Sequence, residues 1–421
     1  MNGKDFDMKN LIPDFTNPAW RCYDTPGGRS AEYKISEDGK RASITTLERF
    51  GVGKWICSLD VRGGALYDFS AACKTEVEEC DAYLIVTQFD KNGKMPIREH
   101  VSDTVRDGEY LRFSETLEMA ENTVRANIEL WIKGWGATGE WELPTLTDGK
   151  PIPERRVRVA PVHFEWSGVE SRSEELQFNA YMKAIDALGE RGVDLVVFGE
   201  GMYGRGLNLD HATRTSTIEP KMRKVMAEKA KQYNTYIVYN GKERDGDNYY
   251  NTSFLYDRKG ELVGKYRKTH ITVTEYEGGL TPGTSFPVFE TDFGKVGILI
   301  CYDQFFPDTA LELTRKGAEI ICIPTAGDDH HACMGMAMTS GVYLAVSGMN
   351  MENDFGWYPT RVVDPLGRIL AHTNVNGEAA YCEIDLSKKV RRLWMSTGPA
   401  LSCVHDDYRY EINTHCYGEK E

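Results

Sequence analysis

Three residue types that together can cleave a polar bond interrupt or end predicted elements of the chain. Glu200 ends the apolar run "VDLVVFGE", Lys268 lies in "GKYRKTHIT", and Cys301 follows "GKVGILI". A cysteine supplies a nucleophile, a carboxylate can accept its proton, and an ammonium group can stabilise negative charge on a substrate oxygen. Cys301 also stands where a strand stops and a helix begins, a position that favours the thiolate over the thiol.

Each of these residues, taken alone, also has an ordinary structural explanation. Cys301 could be an inert core thiol, Lys268 a solvated surface charge, and Glu200 a residue at a helix start. Whether the three residues are catalytic or purely structural therefore depends on the elements that position them.

The segment from residue 155 onward alternates strand and helix patterns. The runs "RVRVAPVHF" and "TYIVYNGKER" predict strands, and "SEELQFNAYMKAIDALGERG" predicts an amphipathic helix. Such alternation indicates an α/β sheet, in which functional residues lie at the carboxyl ends of strands. Glu200 and Cys301 both follow apolar strands, so both are expected at that edge.

The first 148 residues show the pattern of antiparallel β structure. Apolar and polar residues alternate around Asp38-Gly39 and Asn92-Gly93, which are hairpin turn signals. The stretch "TDGKPIPE" that follows has the composition of a linker. We therefore expect a β-sandwich accessory domain at residues 1–148, an α/β domain at 155–395, and a C-terminal tail at 396–421 that is a candidate dimer contact.

The accessory domain is a candidate ligand-binding module. Its tryptophans Trp131, Trp135 and Trp141 could stack on a sugar ring, which makes a carbohydrate one candidate partner. Tryptophans in a β module are also common in the core or at an interface. The segment "GEYLRFSETLEMAENTVRANIELWIKGWG" resembles the jelly-roll modules of carbohydrate-binding proteins, but function does not follow from such a likeness of fold.

Composition limits the classes of partner. The 421 residues carry a formal net charge of −14 at pH 7, which argues against nucleic acid and against an anionic membrane surface. The chain shows no secretory signal and no apolar run of membrane-spanning length, so we expect a cytoplasmic protein. The ten cysteines form no CxxC pair, so we expect neither a structural zinc site nor a disulfide scaffold.

Three stretches carry a resemblance to a known family. In this order, "VDLVVFGE", "GKYRKTHI" and "GILICYDQFFPD" resemble the signature stretches of the nitrilase superfamily of carbon-nitrogen hydrolases. The likeness continues through "GLTPGTSFPVFETDFGKVG" before the cysteine and "YPTRVVDPLGRILAHT" after it, and it spans roughly residues 155 to 390. The resemblance implies a nitrilase-like αββα sandwich, here preceded by an all-β, jelly-roll-like sandwich, and a homodimer or higher homo-oligomer.

The resemblance also implies a catalytic role for each candidate. Glu200 would be the general base, Lys268 would stabilise the oxyanion together with the backbone N–H of Tyr302, and Cys301 would form a thioester. A second family glutamate falls on Glu275 or Glu277, and the distance of Glu275 from the "PG" turn favours Glu275. The family chemistry requires no metal and no organic cofactor.

The residues after Cys301 limit the class of substrate that the resemblance implies. The motif "CYDQ" lacks the Trp-Glu that usually follows the cysteine of nitrile-cleaving members, so an amide or N-carbamoyl compound is expected. Gln304 and Phe305 replace the arginines that would bind an α-carboxylate, so such a group is not expected. Tyr203, Gln304, Phe305, Asp329 and His330 are the candidate substrate-binding residues. The run "DDHH" that contains the last two could instead be an exposed acidic loop, and we expect no metal there.

Other functions share parts of this pattern. Nitrile hydrolysis and acyl transfer to an amine would use the same thioester intermediate. A binding or scaffold protein with an inactive hydrolase domain is the alternative of another class. The intact set of Glu200, Lys268 and Cys301 favours an enzyme.

Overall fold

The computed structural model divides the chain into two compact units. It describes residues 9–24, 31–48, 51–78, 81–166, 172–327, 330–348, 360–393, 396, 398 and 400–411. One unit comprises Met1–Pro153 together with Val390–Glu421, and the other comprises Glu154–Lys389. Among the described residues, no helix is both long and apolar enough to cross a membrane.

The first unit contains two large sheets, and every pairing between their described strands is antiparallel. One sheet has the order β1-β4-β10-β6-β7, with strands β1 (Trp20–Asp24), β4 (Gly51–Asp60), β6 (Ala82–Asp90), β7 (Arg98–His100) and β10 (Thr123–Gly134). The other has the order β2-β3-β11-β5-β9-β8, and β12 also pairs with β5. Its strands are β2 (Ala31–Ile35), β3 (Arg41–Thr46), β5 (Leu66–Thr75), β8 (Asp103–Asp107), β9 (Tyr110–Glu118), β11 (Thr138–Glu142) and β12 (Thr145–Asp148).

Both sheets contribute side chains to one hydrophobic core. Trp55 from the first sheet and Trp141 from the second are both buried in it. The three tryptophans of the sequence analysis have different environments. Trp141 is fully buried, Trp135 is 73% exposed, and Trp131 stacks on Tyr83 with ring centroids 5.7 Å apart. Carbohydrate binding by this unit stays a prediction.

The C-terminal segment packs within the first unit. Strands β25 (Arg391–Leu393) and β26 (Leu401–Cys403) form a hairpin that is followed by helix α7 (Val404–Tyr410). The backbone N–H of Leu401 donates to the carbonyl of Pro96 at 3.0 Å. The described residues of the segment predicted as a C-terminal tail, 396–421, therefore pack with the first unit, and a dimer contact there stays a prediction.

The second unit contains two six-stranded mixed sheets. One has the order β17-β16-β15-β14-β13-β24, with strands β13 (Arg156–Pro161), β14 (Leu195–Val197), β15 (Tyr236–Asp245), β16 (Asn248–Tyr256), β17 (Leu262–Arg267) and β24 (Cys382–Asp385). The other has the order β18 to β23, with strands β18 (Val288–Glu290), β19 (Lys295–Ile298), β20 (Ile320–Pro324), β21 (Tyr343–Ser347), β22 (Thr360–Val363) and β23 (Ile369–Thr373).

Helices accompany these sheets in chain order. They are α1 (Glu174–Glu190), α2 (His211–Thr213), α3 (Glu219–Tyr233), α4 (Val273–Glu277), α5 (Pro307–Arg315) and α6 (His330–Ser340), with a π-helical turn at Arg214–Ile218 and a 3₁₀ turn at Cys301–Phe305. Helix α1 starts where the side chain of Ser173 accepts from the N–H of Leu176, and α3 ends at Asn234 in the left-handed conformation.

Strand β14 shows how the layers form. Successive side chains of a strand point to opposite faces. Leu195 and Val197 lie in the core shared with the second sheet, whereas Val196 lies in the core formed with α1 and α3. On the second sheet, Leu313 of α5 and Ala337 of α6 are part of the same cluster as its strands. The predicted αββα sandwich and the preceding all-β unit are confirmed.

We expect one ion pair to be critical for the first unit. Arg391 donates to Glu99 through two N–H groups at 2.8 and 3.1 Å, and the Glu99 side chain is 4% exposed. Arg391→Met removes this bidentate partner of a buried carboxylate, so calorimetry should show a loss of about 2–5 kcal/mol in the unfolding of this unit. The control Arg112→Met breaks the exposed pair with Asp107 and should leave the free energy of unfolding nearly unchanged. Equal losses would contradict this assignment.

Candidate active site

A buried ammonium group shared by two carboxylates forms the centre of the candidate site. Lys268, the residue after β17, is 2% exposed. Its Nζ donates to Glu200 Oε1 and to Glu275 Oε2, each at 2.8 Å. Burial lowers the pKa of Lys268, but the charge interactions with Glu200, Cys301 and Glu275 outweigh burial, and the net pKa is raised. The lysine is therefore charged at neutral pH.

The two carboxylates come from different elements. Glu200 lies three residues beyond β14, and its Oε2 accepts from the N–H of Ala326 at 3.1 Å. Glu275 belongs to a capping box at the start of α4: its Oε2 accepts from the N–H of Thr272 at 2.9 Å, and its N–H donates to Thr272 Oγ1 at 3.3 Å. Burial raises the pKa of Glu275, but Lys268 and the hydrogen bonds lower it by more than burial raises it. The net pKa is lowered, so Glu275 stays ionised.

Asn251 of β16 connects both carboxylates and was missed by the sequence analysis. Its Nδ2 donates to Oε1 of Glu200 and to Oε1 of Glu275, each at 2.8 Å. Its Oδ1 accepts from Asn240 of β15 at 3.0 Å. The sequence carries no signal for it, because an asparagine in a strand has the same local pattern whether its side chain is solvated or buried against specific partners.

Cys301 occupies a strained corner between β19 and the 3₁₀ turn. Its φ is +46°, a left-handed conformation that is uncommon for a residue with a Cβ and that clusters at functional sites. Its Sγ lies 3.5 Å from the carbonyl oxygen of Gly327, to which the thiol donates. This geometry presents the sulfur at the end of the strand, as the sequence predicts.

The protonation state of Cys301 differs from the sequence-based expectation. Burial raises the pKa of the thiol to about 12, the Glu200 carboxylate acts in the same direction, and Lys268 only partly opposes them. Together these effects favour the protonated thiol, the direction opposite to the one expected from the helix start. The helical segment at Cys301 is a five-residue 3₁₀ turn, and burial is the largest cause of the raised pKa of the thiol.

Asp303 holds the cysteine corner against the segment that carries Lys268. It is fully buried, and its Oδ2 accepts from the N–H of Ile300 at 2.9 Å and from the hydroxyl of Tyr266 at 2.8 Å. Its Oδ1 accepts from the N–H of His270 at 2.9 Å. Asp303 is thus a positioning residue that sequence analysis did not single out, although it stands two residues after the nucleophile.

The structure also locates the remaining polar candidates. Tyr302 is the second residue of the 3₁₀ turn, where helical N–H groups have no intrahelical acceptor, so its N–H is available for an oxyanion. Glu277 is exposed on α4, whereas Glu275 contacts Lys268. Gln304 is buried and donates to the carbonyl of Gly327 at 3.2 Å, the same oxygen that the thiol contacts.

The substrate-binding candidates other than Gln304 differ in how accessible they are to a substrate. Tyr203 is fully buried and its hydroxyl donates to Glu174 at 3.0 Å, which leaves it no surface for a substrate. Phe305 is 48% exposed, and the rings of His330 and His331 meet edge to face at the start of α6. Asp329 lies outside the described residues.

Comparison with known proteins identifies relatives of the second unit. Residues 158–391, which are 234 of the 421, match the family profile described as carbon-nitrogen hydrolase. A hydrolase of Schizosaccharomyces pombe is 28% identical over 285 residues, covering 62% of this chain and 85% of the relative. Omega-amidase NIT2 of Danio rerio is 29% identical over 223 residues, which cover 48% of this chain and 79% of the relative. The crystal structure of Saccharomyces cerevisiae Nit3, a member of branch 10 of the nitrilase superfamily, is 25% identical in sequence with a TM-score of 0.47. The match covers 57% of this chain and 93% of that structure.

We expect the thiolate of Cys301 to form only in alkaline solution. The difference in ultraviolet absorbance between the wild type and Cys301→Ala isolates this thiol, and it should show no thiolate up to about pH 9, above the ordinary cysteine pKa of about 8.5. In a Glu200→Gln background the signal should appear at lower pH, because the carboxylate that raises the pKa is lost while Lys268 remains. The control Glu277→Gln should not move it. A thiolate signal in the wild type at pH 7 would contradict this account.

Proposed function

The chain belongs to the carbon-nitrogen hydrolase family, and from this premise we propose that it hydrolyses an amide or N-carbamoyl substrate through a thioester on Cys301. The observation that carries the proposal is the buried Lys268 ammonium held at 2.8 Å by both Glu200 and Glu275 beside the thiol. Such a cluster supplies the base, the positive charge and the nucleophile that the reaction requires.

Acylation begins with proton transfer rather than with a preformed thiolate. Because the thiol pKa is raised to about 12, Glu200 must take the proton from Sγ as the sulfur attacks the substrate carbon. The new C–S bond pushes the carbonyl electrons onto oxygen, where Lys268 and the N–H of Tyr302 stabilise the charge. Glu200 then gives its proton to the leaving nitrogen, the C–N bond breaks, and ammonia or an amine departs.

Deacylation reverses the roles. Glu200, again a carboxylate, takes a proton from water while the water oxygen attacks the thioester carbon. The tetrahedral intermediate collapses with cleavage of the C–S bond, and the sulfur regains a proton from Glu200. The products are a carboxylic or carbamic acid and the free thiol, so protons and electrons balance over the cycle.

Glu275 is a positioning residue in this mechanism. Its lowered pKa keeps it ionised, so it holds Lys268 Nζ in place while Glu200 cycles between acid and base. Asn251 restrains both carboxylates through the same NH₂ group. Without Glu275, protonation of Glu200 would leave the buried ammonium without a carboxylate partner, which is costly.

An amide is the favoured substrate class. The omega-amidase of Danio rerio, which aligns with 48% of this chain, supports an amide rather than a nitrile. The "CYDQ" motif agrees with that preference through the resemblance described above. Transfer of the acyl group to an amine would proceed through the same thioester.

The conservative change Glu200→Gln tests the proton transfer. It keeps the size of the side chain but cannot accept a proton, so kcat for ammonia release from a panel of simple amides should fall about 10²–10⁴-fold. The matched control is Glu277→Gln, which changes an exposed carboxylate on α4 and should keep the wild-type rate.

Two results would argue against the proposal. Wild-type rates in Glu200→Gln would remove this residue from the chemistry, and turnover by Cys301→Ala would remove the thioester. If added amines divert the acyl product quantitatively away from the acid, the second step is transfer rather than hydrolysis.

A further inference from the structure

A group of buried polar side chains lies next to the candidate catalytic cluster, and one of them, Asn240, has no part in the mechanism above. Asn240 of β15 is directly opposite Ser253 of β16, and Asn251 lies two residues before Ser253 on the same face of the sheet. All three side chains are buried. Buried amides require specific hydrogen-bond partners, so the partners of Asn240 indicate its role.

The hydrogen bonds of Asn240 fix the orientation of its own amide. Its Oδ1 accepts from the backbone N–H of Gly201 at 2.8 Å. A backbone N–H can only donate, so the amide oxygen must face Gly201 and the NH₂ group must point the other way. That NH₂ group donates to Asn251 Oδ1 at 3.0 Å and to Ser253 Oγ at 3.1 Å. Both protons and the oxygen of the Asn240 amide are therefore engaged.

Asn240 in turn determines which end of the Asn251 amide faces the two carboxylates. Because Asn251 Oδ1 accepts from Asn240, the NH₂ group of Asn251 is directed to Glu200 and Glu275, each at 2.8 Å. An amide rotated by half a turn has nearly the same shape but presents its oxygen, which can accept from a protonated Glu200. Asn240 opposes this rotation, because the rotated amide would direct its NH₂ group at the NH₂ group of Asn240.

Asn240 also holds the backbone directly after Glu200. At the end of β14, the N–H of Phe198 donates to the carbonyl of Val238 at 3.0 Å. Two residues beyond Val238, the side chain of Asn240 continues this connection by accepting from Gly201, the residue that follows Glu200. One side chain thus contacts both the backbone next to Glu200 and the amide that donates to its carboxylate.

We propose that Asn240 is a positioning residue that keeps Asn251 a hydrogen-bond donor to Glu200 throughout the catalytic cycle. This rests on the proposed hydrolysis, in which Glu200 alternates between carboxylate and acid, and adds a control of that alternation. A donor that cannot rotate favours the carboxylate, so Glu200 more readily gives up the proton that the leaving nitrogen needs. The rival explanation is that Asn240 only satisfies buried groups of the sheet, and it predicts lower stability without a change in pH dependence.

Two substitutions of Asn240 separate these explanations. Asn240→Asp keeps an acceptor for Gly201 but loses the donor to Asn251, and Asn240→Ala loses both contacts without adding charge. Both release the Asn251 amide, so kcat for ammonia release should fall about 10- to 100-fold. The acidic limb of the kcat/KM profile should move up by about 1 pH unit, because loss of a fixed donor favours the protonated form of Glu200.

The matched control is Asn248, which is exposed at the start of β16. Asn248→Ala and Asn248→Asp should leave both kcat and the acidic limb unchanged. The charged and titratable groups that face Glu200 are the same in all these variants: Lys268, Glu275, Cys301 and Lys242. A shifted limb in Asn240→Ala therefore reports the release of the amide. If Asn240→Ala does not fold, Asn240→Asp is compared with Asn248→Asp, which adds the same charge.

A measurement without turnover separates this inference from the proposed function. In protein labelled with ¹⁵N-asparagine, the side-chain NH₂ signal of Asn251 is identified by its loss in Asn251→Ser, and its hydrogen exchange with solvent is followed by NMR. Exchange should be at least about 10-fold faster in the Asn240 variants than in the wild type, and unchanged in Asn248→Ala. This result stands even if the wild type hydrolyses no amide, an outcome that would overturn the proposed function alone. Unchanged exchange, or an acidic limb that stays at the wild-type pH in a folded Asn240 variant, would overturn the role of Asn240.

Discussion

The site depends on one electrostatic constraint: a buried ammonium group must be matched by negative charge. Lys268 is removed from water and retains its charge because Glu200 and Glu275 each lie 2.8 Å from Nζ. A lysine buried without such partners would lose its proton or destabilise the fold. Burial of Lys268 after β17 is therefore stable only when Glu200 beyond β14 and Glu275 at the cap of α4 are brought next to it.

The same constraint sets the state of the nucleophile. The carboxylate of Glu200 that neutralises Lys268 also raises the pKa of Cys301, so the resting sulfur keeps its proton. In the proposed mechanism, the same carboxylate removes the proton from the thiol when a substrate arrives. Activation is in this way tied to substrate binding, which protects a partly exposed cysteine from side reactions that need the thiolate.

The sequence predicts Glu200, Lys268 and Cys301 as candidate catalytic residues because each interrupts or ends a predicted element within a distinctive motif. It does not predict Asn251 or Asp303, since a polar side chain in a strand or turn has the same local pattern whether it faces solvent or a buried carboxylate. The thiol state of Cys301 depends on the net result of burial and two opposite charges, which spacing along the chain does not report. The packing of the C-terminal segment into the β unit depends on long-range contacts such as that between Arg391 and Glu99.

The most direct test of the account is detection of the acyl group on the nucleophile. Wild-type protein turning over a simple amide is quenched in acid, digested and analysed by mass spectrometry. We predict that the peptide containing Cys301 gains the mass of the acyl group and that no other cysteine does. Turnover without any adduct on Cys301, or an adduct on a different residue, would contradict the central claim.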